Sequence, residues 1–211
     1  MKHIVKHEEP QEFSDWKNLA GENWQPTYDD LSGYPKKALK NSLMVEQGYI
    51  CCYCERRLTD NESHIEHFRP QSDPTVDPLD YGNLLCSCQN QLNKGEPRHC
   101  GNKKEDWFDE QFLVSPLSPD CENNFTFTGD GKIQPRIKDD SKAITTIKKL
   151  SLDIPKLNDL RSKAIEPFLD ETLSDDEIKR FVSGYLLKDA NGMLGEFWTT
   201  INHLFGAYAV L

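Results

Sequence analysis

Between Cys51 and Lys104 the chain reads CCYC at 51–54, HIEHFRP at 64–70, NLLCSC at 83–88 and HCGNKK at 99–104. Thiols at both ends bracket a set of His, Glu and Asn. Thiolates suit a closed structural zinc site, while oxygen ligands beside a histidine suit a hydrolytic metal site. A nuclease is the enzyme class that most often needs both together. Cys51 and Cys54 have the two-residue spacing of a zinc knuckle, which lets both sulfurs reach one tetrahedral ion. The second pair must come from Cys86, Cys88 and Cys100. Cys88 with Cys100 is preferred, because that pair closes the Gln89–Arg98 insertion like a clasp; Cys86 and His99 stay open as alternatives. Cys52 and Cys121 read as free core thiols.

Hydrolysis of a phosphodiester needs a base for water, a cation for the charge on phosphate and leaving oxygen, and something to hold the base. His67 is the candidate base, since a neutral imidazole is available near pH 7. Glu66 offers a hard oxygen for Mg²⁺ or a similar ion. In a regular strand Glu66 and His67 point to opposite faces, and base and metal act on opposite sides of an in-line displacement. Asn83 is placed to fix the imidazole through its amide oxygen, and Asn102 to return to the metal as a second oxygen. His64, on the Glu66 face, and His99 are alternative ligands at that metal. Arg69, Lys103 and Lys104 are candidate phosphate contacts. Each has a bland reading as well: Asn83 as a helix N-cap, His64 as an exposed strand residue, Lys103-Lys104 as a solvated helix end.

Outward from this stretch, helices are expected over Pro10–Ala20 and Pro35–Gln47, the second stopped by Gly48. Tyr49–Cys51 and Arg57-Leu58 suit a short hairpin around the first thiol pair. His64 to Phe68 suits a strand ending at Pro70, and Gln71–Tyr81 a loop. Asn83 onward reads as a turn and then a helix, interrupted by the insertion and resuming near Gly101. Phe125–Thr128 and Lys132–Gln134 flank Gly129-Asp130-Gly131, a strong hairpin signal. Beyond it the chain reads as helices: Ile144–Leu150, Leu157–Phe168, one capped by Ser174 and Glu177, and a last one from Leu194 to Tyr208 with regular i, i+3, i+4, i+7 spacing. The fold class is therefore α+β, a small zinc-stapled ββα core with mainly helical N-terminal and C-terminal parts. The segments are 1–48, 49–108 and 109–211.

Among 211 residues, 36% are hydrophobic, and six of the seven cysteines lie between Cys51 and Cys100. The opening MKHIVKHEEP has no apolar run, and no stretch approaches the roughly 20 apolar residues of a membrane span. A cytoplasmic protein with no membrane partner is expected, with cysteines reading as metal ligands rather than disulfides. Formal net charge is −10, which argues against a stand-alone nucleic-acid binder. Residues 1–104 hold 13 Lys/Arg against 16 Asp/Glu, and residues 105–211 hold 12 against 19. The half with the motif is nearly neutral, so a partner is expected to supply much of the grip.

The motifs Cys51-x2-Cys54, Ile65-Glu66-His67-Phe68-Arg69-Pro70, Tyr81-x-Asn83-Leu84 and His99-Cys100-Gly101-Asn102-Lys103-Lys104 resemble an HNH (ββα-metal) endonuclease. More narrowly, the chain is similar to the PtuB-like HNH subunits of Septu and retron-associated anti-phage systems. Val114-Ser115-Pro116, Phe125–Ile133, and Leu150-Ser151-Leu152 with Leu157–Arg161 extend the likeness beyond the motif. The resemblance implies His67 as general base, Glu66 and Asn102 at a catalytic Mg²⁺ or Mn²⁺, Asn83 orienting the histidine, and a structural Zn²⁺ on Cys51, Cys54, Cys88 and Cys100. It further implies a nucleic-acid substrate, DNA favoured, and an ABC-type ATPase partner, PtuA-like. Three positions depart from the family: Glu66 stands where Asp is common, Asn102 where His is common, and an insertion separates Cys88 from Cys100.

Two other readings compete with the nuclease. A non-catalytic zinc-stapled module, binding nucleic acid or protein, predicts zinc without turnover; the acidic Glu66 at a strand end argues against it. An acidic docking platform, with Phe197, Trp198, Ile201 and Phe205 as its contact stripe, competes with a plain core role for that stripe. Core is the preferred reading.

Overall fold

A computed structural model describes residues 1–209. Helix α1 (Gln11–Lys17) and helix α2 (Gly33–Glu46) precede the motif. Gly48, at φ +59°, lets the chain leave α2 in the left-handed region that glycine tolerates. The thiol turn follows, closed by one antiparallel bridge between Ile50 and Arg57. Strands β1 (Ser63–His67) and β2 (Leu84–Cys88) then pair antiparallel, with His64 opposite Ser87 and Glu66 opposite Leu85. Helix α3 (Gly101–Lys104) completes a ββα unit.

The segment after Asn83 differs from its sequence reading, because it runs as strand β2 and not as a helix. All five of its residues are buried. A run of Leu, Leu, Cys, Ser, Cys carries no alternation, so periodicity does not separate a fully buried strand from a helix. Pairing decides it. Gln47, just past α2, accepts from the Cys86 amide at 2.7 Å and donates to the Cys86 carbonyl at 2.8 Å. One side chain thus satisfies both backbone groups on the outer edge of β2.

Strands β3 (Phe125–Phe127) and β4 (Ile133–Pro135) form the second hairpin. Four helices follow: α4 (Ser141–Lys149), α5 (Pro155–Ile165), α6 (Asp175–Leu186) and α7 (Trp198–Phe205). Ser174 and Glu177 make the expected capping box at α6, a device that contributes about 1 kcal/mol. The last helix is shorter than its apolar spacing predicts. Phe197 sits at φ +52° and the Leu194 amide donates to the Gly48 carbonyl, so residues 194–197 form a strap across the end of α2.

One apolar core runs from Met1 to Leu157, taking in residues from all three expected segments. A satellite core gathers Ile165, Phe168, Val182, Leu186 and Ile201. Phe168 stacks on Phe181 at 4.4 Å and on Phe205 at 5.2 Å. Phe197 and Ile201 are buried and Trp198 and Phe205 pack beside them, so the stripe serves the core. Glu55, in the thiol turn, ties this end to the site. It accepts from the amide and hydroxyl of Thr199 and pairs with the Met1 ammonium at 2.6 Å. Among the described residues no helix is long and apolar enough to cross a membrane.

Candidate metal and catalytic sites

The ββα unit carries functional side chains on two sides. On one, the sulfurs of Cys51, Cys54, Cys88 and Cys100 all lie within 4.8 Å of one another, and all four residues are buried. Cys54 and Cys88 are 3.6 Å apart, close to the ~3.8 Å expected between ligands of a tetrahedral ion with 2.3 Å bonds. The thiol turn brings in the first pair, the end of β2 the third, and the residue before α3 the fourth. Cys100 holds φ +56° to do so, a strained conformation for a side chain with a β-carbon.

Protonation shows why the group suits a cation. Burial pushes the Cys51 thiol up, but hydrogen bonds from the surrounding cysteines outweigh it and hold it well below the ordinary range. Cys54 is likewise raised by burial, and hydrogen bonds from Cys100 and Cys88 bring it down to about 7. Burial and the other thiols push Cys100 well above. Four crowded sulfurs cannot all ionise on their own, whereas a divalent ion at their centre lets all four be thiolates. Arg56 and the buried Arg161 lie within electrostatic reach of the cluster and offset its negative charge. Cys86 and His99 are not in the four-sulfur group. Burial raises Cys86 to about 12. His99 sets Nδ1 3.1 Å from the Cys100 sulfur, so it neighbours the cluster. Cys52 and Cys121 are also buried and outside it.

On the other side stands the carboxylate of Glu66. Its Oε1 accepts from Tyr53 Oη at 3.0 Å and pairs with Lys104 Nζ at 3.0 Å. Its Oε2 lies 3.6 Å from His64 Nε2. Burial raises this carboxyl, but His64 and Lys104 outweigh it and hold it below the usual carboxylate range. The backbone of α3 meets this pair at Gly101. A β-carbon there would stand 2.3 Å from Glu66 Oε2 and 2.8 Å from His64 Nε2. Glycine thus leaves a cradle in which a carboxylate oxygen and an imidazole nitrogen converge.

His67 follows on the opposite face of β1. Its Nε2 contacts the Pro78 carbonyl at 2.9 Å, and Tyr28 stands edge-on to the ring at 4.5 Å. A carbonyl only accepts, so the neutral ring carries its proton on Nε2 and its lone pair on Nδ1. Burial lowers the His67 pKa, favouring the neutral ring.

Several expected roles land elsewhere. Asn83 does not hold the imidazole. Its Oδ1 accepts from the Arg69 amide at 2.8 Å and its Nδ2 donates to the Arg69 carbonyl at 2.9 Å, so it pins the chain just after β1. Asn102 is turned from Glu66, with Nδ2 donating to the Gln89 carbonyl at the neck of the insertion. The residues of α3 that meet Glu66 are Gly101, one position earlier, on the Oε2 side, and Lys104 on the Oε1 side. Lys104 is buried against Glu66 and the His67 carbonyl rather than free for phosphate. Arg69 is engaged by Asp73 at 2.9 Å, while Lys103 is exposed. The sequence reading missed Tyr53, Pro78 and Gly101. Tyr53, between two thiols in CCYC, was the one with a visible signal: an aromatic hydroxyl in a buried turn needs a partner.

No protein-family profile matches the chain. It is 32% identical to the candidate HNH endonuclease of retron Vc95 from Vibrio cholerae serotype O1 biovar El Tor, over 74% of this chain and 78% of that protein. It is 28% identical to the candidate HNH endonuclease of retron Ec83 from Escherichia coli, over 72% of this chain and 75% of that protein.

Proposed function

We propose, from the premise that the chain belongs to the family of retron HNH endonucleases, that it is a metal-dependent nuclease hydrolysing phosphodiester bonds, with DNA the favoured substrate. The observation that carries this reading is the convergence of Glu66 and His64 on the cradle at Gly101, with His67 next along the same strand. The donor set fits a divalent ion, for which Mg²⁺ or Mn²⁺ is proposed, held by Glu66 with His64. Such an ion supplies stabilisation of charge on the phosphate and the leaving oxygen.

The chain's own residues do the rest. His67 Nδ1 takes the proton from the attacking water, and burial keeps the ring neutral for that task. The Pro78 carbonyl fixes the tautomer. Tyr53 and Lys104 hold Oε1 of Glu66 and leave Oε2 toward the cradle. Asn83 keeps the β1 end in register through Arg69. A structural Zn²⁺ on Cys51, Cys54, Cys88 and Cys100 staples the unit. A cytoplasmic setting and an ABC-type ATPase partner complete the reading. The net charge of −10 supports the need for help in holding substrate.

The test is His67→Ala in purified protein, with and without the ATPase partner. Cleavage is expected to fall by about 10²–10⁴-fold, as for loss of a general base, with zinc content and melting temperature kept. Unchanged cleavage overturns the assignment. Zinc without cleavage by the wild type, with either Mg²⁺ or Mn²⁺, makes the chain a zinc-stapled binding module instead.

A further inference from the structure

Beside the candidate site, and sharing His64 with it, runs a groove of about 410 Å³ whose lysines the cleavage chemistry does not use. One wall is α2, which contributes Lys36, Lys37 and Lys40. The opposite wall is the His64–Ile65 edge of β1, and Tyr28 also lines the groove. Two of these residues connect it to the chemistry. His64 lies 3.6 Å from Glu66, and the Tyr28 ring stands 4.5 Å from that of His67. The one acid in the lining, Asp60, is paired with Lys40 at 3.4 Å, so Lys36 and Lys37 are an uncompensated excess. Both are exposed, and Lys36 Nζ lies 5.5 Å from the Tyr28 ring centre. In a chain of net charge −10, two unbalanced cations at the mouth of a site for an anionic substrate need a reason.

We propose that this groove seats the sugar–phosphate backbone of the nucleic acid, with Lys36 and Lys37 on phosphates flanking the scissile bond. The inference rests on the nuclease reading and gives that site a substrate track on α2, outside the ββα unit. Adjacent helical lysines reach two neighbouring phosphates, and Tyr28 offers a ring edge between them and His67. Phosphate contacts carry affinity without reading sequence, so the track accepts any backbone of suitable shape. It also relocates the grip, since Arg69 and Lys104 are engaged internally.

The experiment measures binding of a fluorescein-labelled DNA duplex, its single strands and the matching RNA. The proteins are full-length, in a His67→Ala background to prevent cutting. Compared with that parent, Lys36→Gln/Lys37→Gln is expected to bind roughly tenfold or more weakly near 0.1 M salt, with a salt slope shallower by about 1.4–1.8. Lys179→Gln/Lys188→Gln changes the charge equally on exposed positions of the α6 region and is expected to bind as the parent does. Equal weakening in both variants, no weakening at Lys36 and Lys37, or no binding by the parent at about 50 mM salt each overturns the groove. Which of the three probes binds best decides among DNA and RNA forms. The nuclease reading stands or falls separately, on His67-dependent cleavage by the unmodified chain.

Discussion

Cys100 and Gly101 are neighbours in the chain and serve opposite sides of one ββα unit. Cys100 turns into the four-sulfur cluster, which is wholly buried. Gly101 faces the Glu66–His64 pair, where the imidazole is partly exposed and a groove opens beside it. Ser87 lies between, accepting from the Gly101 amide at 3.2 Å and touching the Cys51 sulfur at 3.7 Å. The contrast teaches how a small unit with few apolar residues carries a polar site. The closed side fixes the geometry that the open side uses, and the buried carboxylate is tolerable because His64, Lys104 and Tyr53 hold it.

If the closed side is structural, breaking it should abolish both. Cys100→Ser is expected to lose bound zinc by elemental analysis and to give unfolded or aggregated protein. The apparent free energy of a structural zinc site, about 10–16 kcal/mol, is comparable to the whole stability of a domain. A folded Cys100→Ser protein with undiminished zinc would remove the cluster from the argument. One residue on, the outcome should split. Gly101→Ala is expected to keep zinc but cut cleavage at least about tenfold, because the new methyl displaces Glu66 Oε2 or His64. Overpacking there should cost about 1–3 kcal/mol, read as a lower melting temperature. Full cleavage by Gly101→Ala means that the cradle is not where the reaction is organised.

Asn83 tests whether the open side depends on backbone or on ring orientation. Asn83→Ala removes two hydrogen bonds to Arg69 and should lower stability by about 1–3 kcal/mol, seen in thermal unfolding and in faster amide exchange at residues 68–70. Asn83→Asp keeps the acceptor and should recover part of the loss. Reduced cleavage with unchanged stability would return Asn83 to the imidazole.

What the sequence made legible follows from how local each signal is. The CxxC turn, the Ser174 cap and the Gly129–Gly131 hairpin depend on residues within a few positions of one another, and all appear where expected. Strand β2 was hidden because burial on both faces erases alternation. The start of the last helix was hidden because Leu194 fits helical spacing while its amide is bound by the Gly48 carbonyl. Both thiol pairs were legible by spacing and by the clasp around the insertion. The contacts of Asn83 and Gly101 were not, because each reaches across the unit. A glycine in sequence announces flexibility more readily than the room it leaves for a carboxylate.

The finest distinction lies within α3. Asn102 and Gly101 are alternatives for the helix position nearest the proposed catalytic metal site. Asn102 spends its amide nitrogen on the Gln89 carbonyl, at the neck of a loop that Lys156 also holds through Glu96. Its loss should loosen that neck and little else. Asn102→Ala is therefore expected to shift the Mn²⁺ midpoint of cleavage by no more than about twofold, within the ~0.5 kcal/mol of an uninvolved position. His64→Ala in the same assay should shift it at least about tenfold. The reverse order would put the second ligand on the helix, with the amide of Asn102 turning inward when the ion binds. The order expected here instead places both protein ligands on β1, two residues apart and on one face. In that proposed arrangement the helix contributes space rather than a ligand, consistent with a glycine at its first position, where a β-carbon would meet Glu66 and His64.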